Sequence, residues 1–127
     1  MILERIRQRA AADPQHVVLP EGEDPRTVAA AAQCARDRVA RVTLLGSEEK
    51  IRNAARDANA DLGGVEIIDH RRAADFDKVA ALYHELRRAK GLMPDEARLA
   101  VRDPLYYGNL LVREGRADGS MTTPQSA

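Results

Sequence analysis

Arg87, Arg88 and Lys90 stand together just before Gly91, the densest basic cluster able to do chemistry in this sequence. A guanidinium presents a rigid fork of N–H donors that matches phosphate geometry. The dipole at a helix C-terminus also favours cations, so charge alone supports capping and phosphate binding equally. Arg71-Arg72 form a second basic pair, in a stretch that reads as a solvated loop. The acidic run Glu21-Gly22-Glu23-Asp24 reads as a solvated turn carrying a helix cap. Its alternative role is to orient an anionic substrate or help hold a cation.

Other reactive side chains are few. His16, His70 and His84 do not combine with Cys, Asp or Glu at zinc-site spacing, so no metal site is expected. His70, beside Asp69 at a strand end, reads as a surface histidine, with a cleft-facing position as the alternative. Cys34, the single cysteine, lies in the small-residue run Ala29 to Ala35 and reads as a buried thiol rather than a nucleophile. No hydroxyl–imidazole–carboxylate trio appears at readable spacing, and no catalytic residue is assigned. The G-x-G-x-x-G and Walker spacings are absent, which argues against a dinucleotide-dependent oxidoreductase.

These side chains must be positioned by the elements around them. Residues 2–12 read as an amphipathic helix stopped at Asp13-Pro14. The apolar, β-branched runs His16 to Pro20, Val42 to Leu45 and Val65 to Ile68 predict three strands. Between them, Asp24 caps a helix that has Pro25 at its start and continues from Thr27 to Arg38, and Ser47 caps a helix from Glu48 to Asn59. Strands alternating with helices imply a parallel sheet with helices on its faces. Such sheets take ligands beyond the carboxyl ends of their strands, which singles out Pro20 to Pro25, Gly46-Ser47 and Ile68 to Arg72.

After Arg72 the sequence predicts helices only. One runs from Asp75 to Lys90, with Val79, Leu82, Tyr83 and Leu86 in a stripe and Gly91 closing it. A second begins at Met93-Pro94 and runs to about Val101. A third starts at Asp103-Pro104, with Leu105, Gly108, Leu111 and Val112 facing inward. The segment after Gly119 is small and polar and reads as a frayed tail.

Composition narrows the function classes. The 127 residues suit one core. Twenty Lys and Arg balance 20 Asp and Glu, which argues against a protein built to wrap nucleic acid but leaves room for a local basic pocket for a phosphorylated ligand. With no Trp and one Phe, stacking platforms for single strands are scarce. No stretch reaches the ~20 apolar residues of a membrane span, and a lone cysteine fits a reducing compartment. The expectation is a cytoplasmic protein that binds neither nucleic acid nor membrane.

The wording of several segments resembles one family. LERIRQRAAADPQHVVLPEGEDPRT, RVTLLG, LYHELRRAKGLMPDEAR and DPLYYGNLLVREGRADG follow, in order, the pattern of bacterial phosphate acetyltransferases, of the phosphate acetyl/butyryl transferase family. The resemblance covers residues 2–119. Ala89 departs from it, standing where the family usually has histidine. After Asp118-Gly119 the family continues with a small-residue segment and some two hundred further residues, where this sequence has SMTTPQSA.

The resemblance implies a three-layer α-β-α fold with a mostly parallel sheet, the truncated N-terminal domain of an isocitrate/isopropylmalate dehydrogenase-like fold. It divides the chain into residues 1–119, of family type, and a non-family tail at 120–127. It implies acetyl transfer between coenzyme A and phosphate, at a cleft between two domains. There an aspartate base, a serine and an arginine act, all outside the resembling part. Arg87 falls on the family's coenzyme A-binding arginine, and Lys90 lies beside it. Coenzyme A would be a substrate, with no bound cofactor, and phosphate or acyl phosphate its co-substrate. The expected chain is inactive alone and associates, as a homo-oligomer, through the face left open. The alternative is a non-catalytic module that binds coenzyme A or a nucleotide, or that docks on a relative.

Overall fold

The computed structural model describes Glu4 and residues 16–121. The helix expected at 2–12, its stop at Asp13-Pro14, and the segment beyond Met121 lie outside the described residues.

Four strands form one parallel sheet: β1 (His16–Leu19), β2 (Arg41–Leu45), β3 (Glu66–Ile68) and β4 (Gly119–Ser120), in the order β3-β2-β1-β4. The three runs read as strands are strands. Val17 and Leu19 on β1, with Val42 and Leu44 on β2, turn to one face. Val18 and Leu45 turn to the other. Both faces are therefore apolar, as a sheet covered on both sides requires.

Helices α1 (Pro25–Arg36) and α2 (Glu48–Ala58) cover the first face. Val28, Ala31 and Cys34 from α1 and Ile51 and Ala54 from α2 are buried there. The alanine-rich face of α1 brings its backbone close to the sheet, and Cys34 is one of its buried small residues. Helices α3 (Phe76–Arg87), α4 (Pro94–Ala100) and α5 (Pro104–Arg113) lie on the opposite side. Val79 and Ala80 from α3 and Tyr107, Leu110 and Leu111 from α5 meet Val18 and Leu45. The architecture is thus three layers, helix–sheet–helix. The winding runs outward from β1 through β2 to β3 and then reverses, since β4 pairs on the other side of β1.

Several expectations are corrected. The helix expected from Asp75 to Lys90 ends at Arg87, and Arg88–Lys90 form a tighter 3₁₀ turn closed by Gly91 at φ +90°. On α5 the inward face is Tyr107, Gly108, Leu110 and Leu111, whereas Leu105 is exposed. On α3, Leu86 is also exposed. The all-helical reading after Arg72 misses β4. Gly119 pairs with Val17 and Ser120 with Val18, and Met121 is buried, so these two residues are not frayed.

Candidate functional site

The carboxyl ends of β1, β2 and β3 open onto a cleft of about 830 Å³. Its walls gather all three segments singled out by strand order: Glu23 from the loop after β1, Gly46 and Ser47 after β2, and Asp69 to Arg72 after β3. Two close approaches shape it. A Cβ on Gly22 would lie 2.5 Å from the Leu45 carbonyl oxygen, so only glycine lets the first loop rest on the end of β2. Gly46, at φ +141°, packs directly against the Glu23 side chain.

The acidic loop is a folding device. Asp24 caps α1 by accepting from the Arg26 amide at 2.8 Å. The Arg26 side chain, hydrogen bonded to the same carboxylate, holds its pKa below the ordinary 3.8. Glu23 reaches across to accept the Ser47 N–H at 2.8 Å. Ser47 occupies the N-cap position of α2, but its own hydroxyl makes no capping bond. Glu23, from the loop after β1, thus satisfies the amide of the N-cap residue, while the Ser47 side chain supplies no cap bond.

His70 is buried, which corrects its surface reading. Its Nε2 lies 2.7 Å from the Arg102 carbonyl oxygen. A carbonyl only accepts, so Nε2 carries the proton. Nδ1 is buried with no hydrogen-bond partner among the described residues. Burial, followed by the nearby charge of Arg71, pushes the imidazole pKa below its ordinary 6.5 and keeps the ring neutral. The ring also leans on Tyr107, with centroids 5.3 Å apart. The Arg71 Nε donates to the same Arg102 carbonyl, at 3.3 Å. One carbonyl therefore fixes both His70 and Arg71.

Arg87 sits elsewhere. It lines a groove of about 400 Å³ on the α3–α5 side, together with Tyr83, Tyr106, Asn109 and Arg113. The Tyr83 and Tyr106 rings form a tilted pair, 5.7 Å between centroids. Lys90 is exposed in the 3₁₀ turn and does not line this groove.

A hydroxyl–imidazole–carboxylate trio does form, from residues too far apart in sequence to be read as one there. His16 Nε2 lies 2.6 Å from Thr43 Oγ1, and the Thr43 hydroxyl donates to Glu66 at 2.7 Å. The Thr43 proton points at the carboxylate, so the imidazole donates to the hydroxyl instead of drawing its proton away. Thr43 is 1% exposed. The trio straps three strands together and offers no nucleophile. Among the described residues no group of three or more His, Cys, Asp or Glu converges as a metal site.

The family model described as phosphate acetyl/butaryl transferase matches residues 1–125. The chain belongs to that family. The phosphate acetyltransferase of Thermoanaerobacterium thermosaccharolyticum is 39% identical over 118 residues, which are 93% of this chain and 35% of that protein. That of Acetivibrio thermocellus is 40% identical over 117 residues, 92% of this chain and 35% of the relative. Among solved structures, a phosphotransacetylase from Streptococcus pyogenes superposes with a TM-score of 0.82 at 30% identity, covering 98% of this chain and 37% of that one. The EutD phosphotransacetylase from Staphylococcus aureus gives a TM-score of 0.80 at 28% identity, covering 94% of this chain and 36% of that one. The chain thus spans about a third of the length of these phosphate acetyltransferase relatives.

In this member of the phosphate acetyl/butaryl transferase family, Arg87 and Lys90, the two cations expected to bind, lie close in sequence but not in one groove. Sequence reasoning passed over Arg98 and Arg102, which line the strand-end cleft, and preferred a solvated reading for Arg71-Arg72. The strand-order rule had pointed at Arg71 and Arg72. Nothing in the local sequence marks Arg98 and Arg102, which arrive on the α4 segment.

Proposed function

We propose that this chain supplies one wall of an acyl-transfer site of the phosphate acetyltransferase type. In that reaction a phosphate oxygen attacks the thioester carbon of acetyl-coenzyme A. The carbon–sulfur bond breaks, and acetyl phosphate and the coenzyme A thiolate leave. The observation carrying the reading, beside family membership, is the position of Arg87. It stands on a groove with a second guanidinium, Arg113, and a pair of tyrosine rings. Guanidiniums suit the phosphates of coenzyme A and aromatic faces suit its base. Lys90, exposed in the turn that follows Arg87, adds a positive charge outside the groove. The chain's contribution is binding and orientation.

Among the described residues no acid–base pair is set up for the transfer, so these 127 residues alone should bind coenzyme A with little turnover. Calorimetry with coenzyme A, beside an assay for acetyl phosphate formation, tests both parts. Arg87→Ala should weaken binding about tenfold or more, the usual cost of a charge-assisted contact, and Lys90→Ala less. Robust turnover by the chain alone would overturn the second part. Binding unaffected by Arg87→Ala would overturn the first.

A second reading, an association module, draws on one observation. Leu86, Met93, Leu99, Leu105 and Tyr106 are all exposed on the α3–α5 side, and clustered exposed apolar residues mark contact surfaces. Sedimentation equilibrium of the chain, with and without coenzyme A, separates self-association from simple ligand binding. Among the described residues no helix is long and apolar enough to cross a membrane.

A further inference from the structure

We propose that the cleft at the strand ends is a second anion site, distinct from the Arg87 groove, and that it takes a small organic phosphate held by Arg71 and Arg102. The inference goes beyond the acyl-transfer reading and does not rest on it. The two sites share no lining residue.

The argument starts from which charges are already engaged. Five cations line the cleft: Lys50, Arg71, Arg72, Arg98 and Arg102. Four acids line it: Glu23, Glu48, Glu49 and Asp69. Two of the acids are paired with arginine, and a third accepts from a neutral N–H. Glu23 accepts the Ser47 N–H, Glu48 pairs with Arg52 at 3.0 Å, and Asp69 lies 3.9 Å from Arg72. Arg98 is drawn off to Asp77, outside the lining. Among the described residues, the Lys50, Arg71 and Arg102 side chains have no carboxylate partner. Set against the charges of Glu23 and Glu49, these three cations leave the cleft with a small net positive charge.

Arg71 is also oriented. Its Nε is tied to the Arg102 carbonyl at 3.3 Å, which leaves its two terminal nitrogens to serve a ligand. The same carbonyl is held by the buried His70, so the backbone that carries Arg102 is anchored. The Arg71 guanidinium is thereby held against the backbone of Arg102, whose own guanidinium lines the same cleft. A phosphate is the group whose geometry and charge such a pair satisfies. The Ser47 hydroxyl, which caps nothing, adds a neutral hydrogen-bond partner on the facing wall.

Size decides that the phosphate is attached to something. At about 830 Å³ the cleft falls in the range of small-molecule pockets and far exceeds one inorganic phosphate. Phe76 supplies an apolar wall for an organic body. The Ser47 amide is not the seat, because the Glu23 carboxylate already accepts its N–H.

Phosphorus-31 NMR titration of the full chain with inorganic phosphate and with phenyl phosphate tests the proposal. Phenyl phosphate should bind, and more tightly than inorganic phosphate. Arg71→Gln and Arg102→Gln should each weaken it about tenfold or more, and Arg71→Lys by less. Arg87→Ala removes any phenyl phosphate held in the Arg87 groove, so the binding that survives it and is lost in the Arg71 and Arg102 variants belongs to the cleft. Far-ultraviolet circular dichroism shows whether each variant folds, and Arg71→Lys keeps the test open should a glutamine variant not fold. Affinity indifferent to Arg71 and Arg102, or lost in Arg87→Ala instead, would overturn the site. Equal affinity for the two probes would overturn the organic ester. Since the coenzyme A titration reads Arg87 and this one reads Arg71, failure of either leaves the other standing.

Discussion

The Tyr107 hydroxyl donates to Asp75 Oδ1 at 2.7 Å, joining the middle of α5 to the residue that opens α3. Arg116 pairs with the other oxygen of the same carboxylate. Tyr107 is fully buried, and burial together with the Asp75 charge pushes its phenol far above the ordinary 10.0. Burial alone would raise the Asp75 pKa, but the bonds from Tyr107 and Arg116 outweigh it and hold the carboxyl below 3.8. Tyr107→Phe should therefore destabilise the chain by about 1.5–3 kcal/mol, the range for a hydrogen bond to a charged group. Urea denaturation at pH 7 checks this.

The same carboxylate gives a pH signature. A depressed folded pKa contributes stability above the unfolded value, and that stability is lost as pH falls through the folded one. The gap between the native chain and Asp75→Asn should close progressively below about pH 4. Denaturation midpoints measured from pH 7 down to pH 2.5 would show it. A gap that stays constant would remove the ion pair from the account.

His70 predicts a slope in a different window. Its folded pKa is depressed below 6.5 by burial. The unfolded chain therefore takes up the proton first. The stability linked to His70 is full above 6.5, falls as pH drops toward the folded value, and is level below it. Unfolding midpoints between pH 8 and pH 5 should carry this slope, and His70→Gln should flatten it.

Gly22→Ala should be costly although the residue lies in a loop. The new Cβ would meet the Leu45 carbonyl oxygen at 2.5 Å, and neither backbone can swing aside as a flexible side chain would. Overpacking of this kind costs about 1–3 kcal/mol. It should also open the cleft, so a loss of stability without loss of phenyl phosphate binding would count against the proposed site.

The face of α5 is checked by a pair of substitutions. Leu111→Ala, in the core, should cost about 2–5 kcal/mol. Leu105→Ala, 40% exposed, should cost far less. Equal losses by thermal unfolding would restore the inward Leu105 expected from periodicity.

That pair also shows what periodicity can and cannot reach. Strands β1, β2 and β3 were legible because buried parallel strands need unbroken apolar, β-branched runs. Helix starts at Pro25, Pro94 and Pro104 were legible from local cap chemistry. The rest depended on contacts made far along the chain. Gly119 and Ser120 have no strand character of their own and become β4 by pairing with Val17 and Val18. His70 is buried because a carbonyl 32 residues later receives its N–H. Ser47 is the N-cap position read from the sequence, but its hydroxyl makes no cap bond and its amide is taken by Glu23 from 24 residues upstream. The cleft was foreseeable from strand order, whereas its arginines from the α4 segment were not.

The pairing of β4 bears on how the polypeptide acquires its shape during synthesis. The Asp118 N–H binds the His16 carbonyl, and the Asp118 carboxylate receives the His16 N–H, across a separation of 102 residues. β1 emerges from the ribosome early and waits for the whole α3–α5 layer before its second flank is filled. Until then its open edge is a template for pairing with other chains. Nascent chains stalled before residue 116 should bind chaperones more strongly than those extended past Met121.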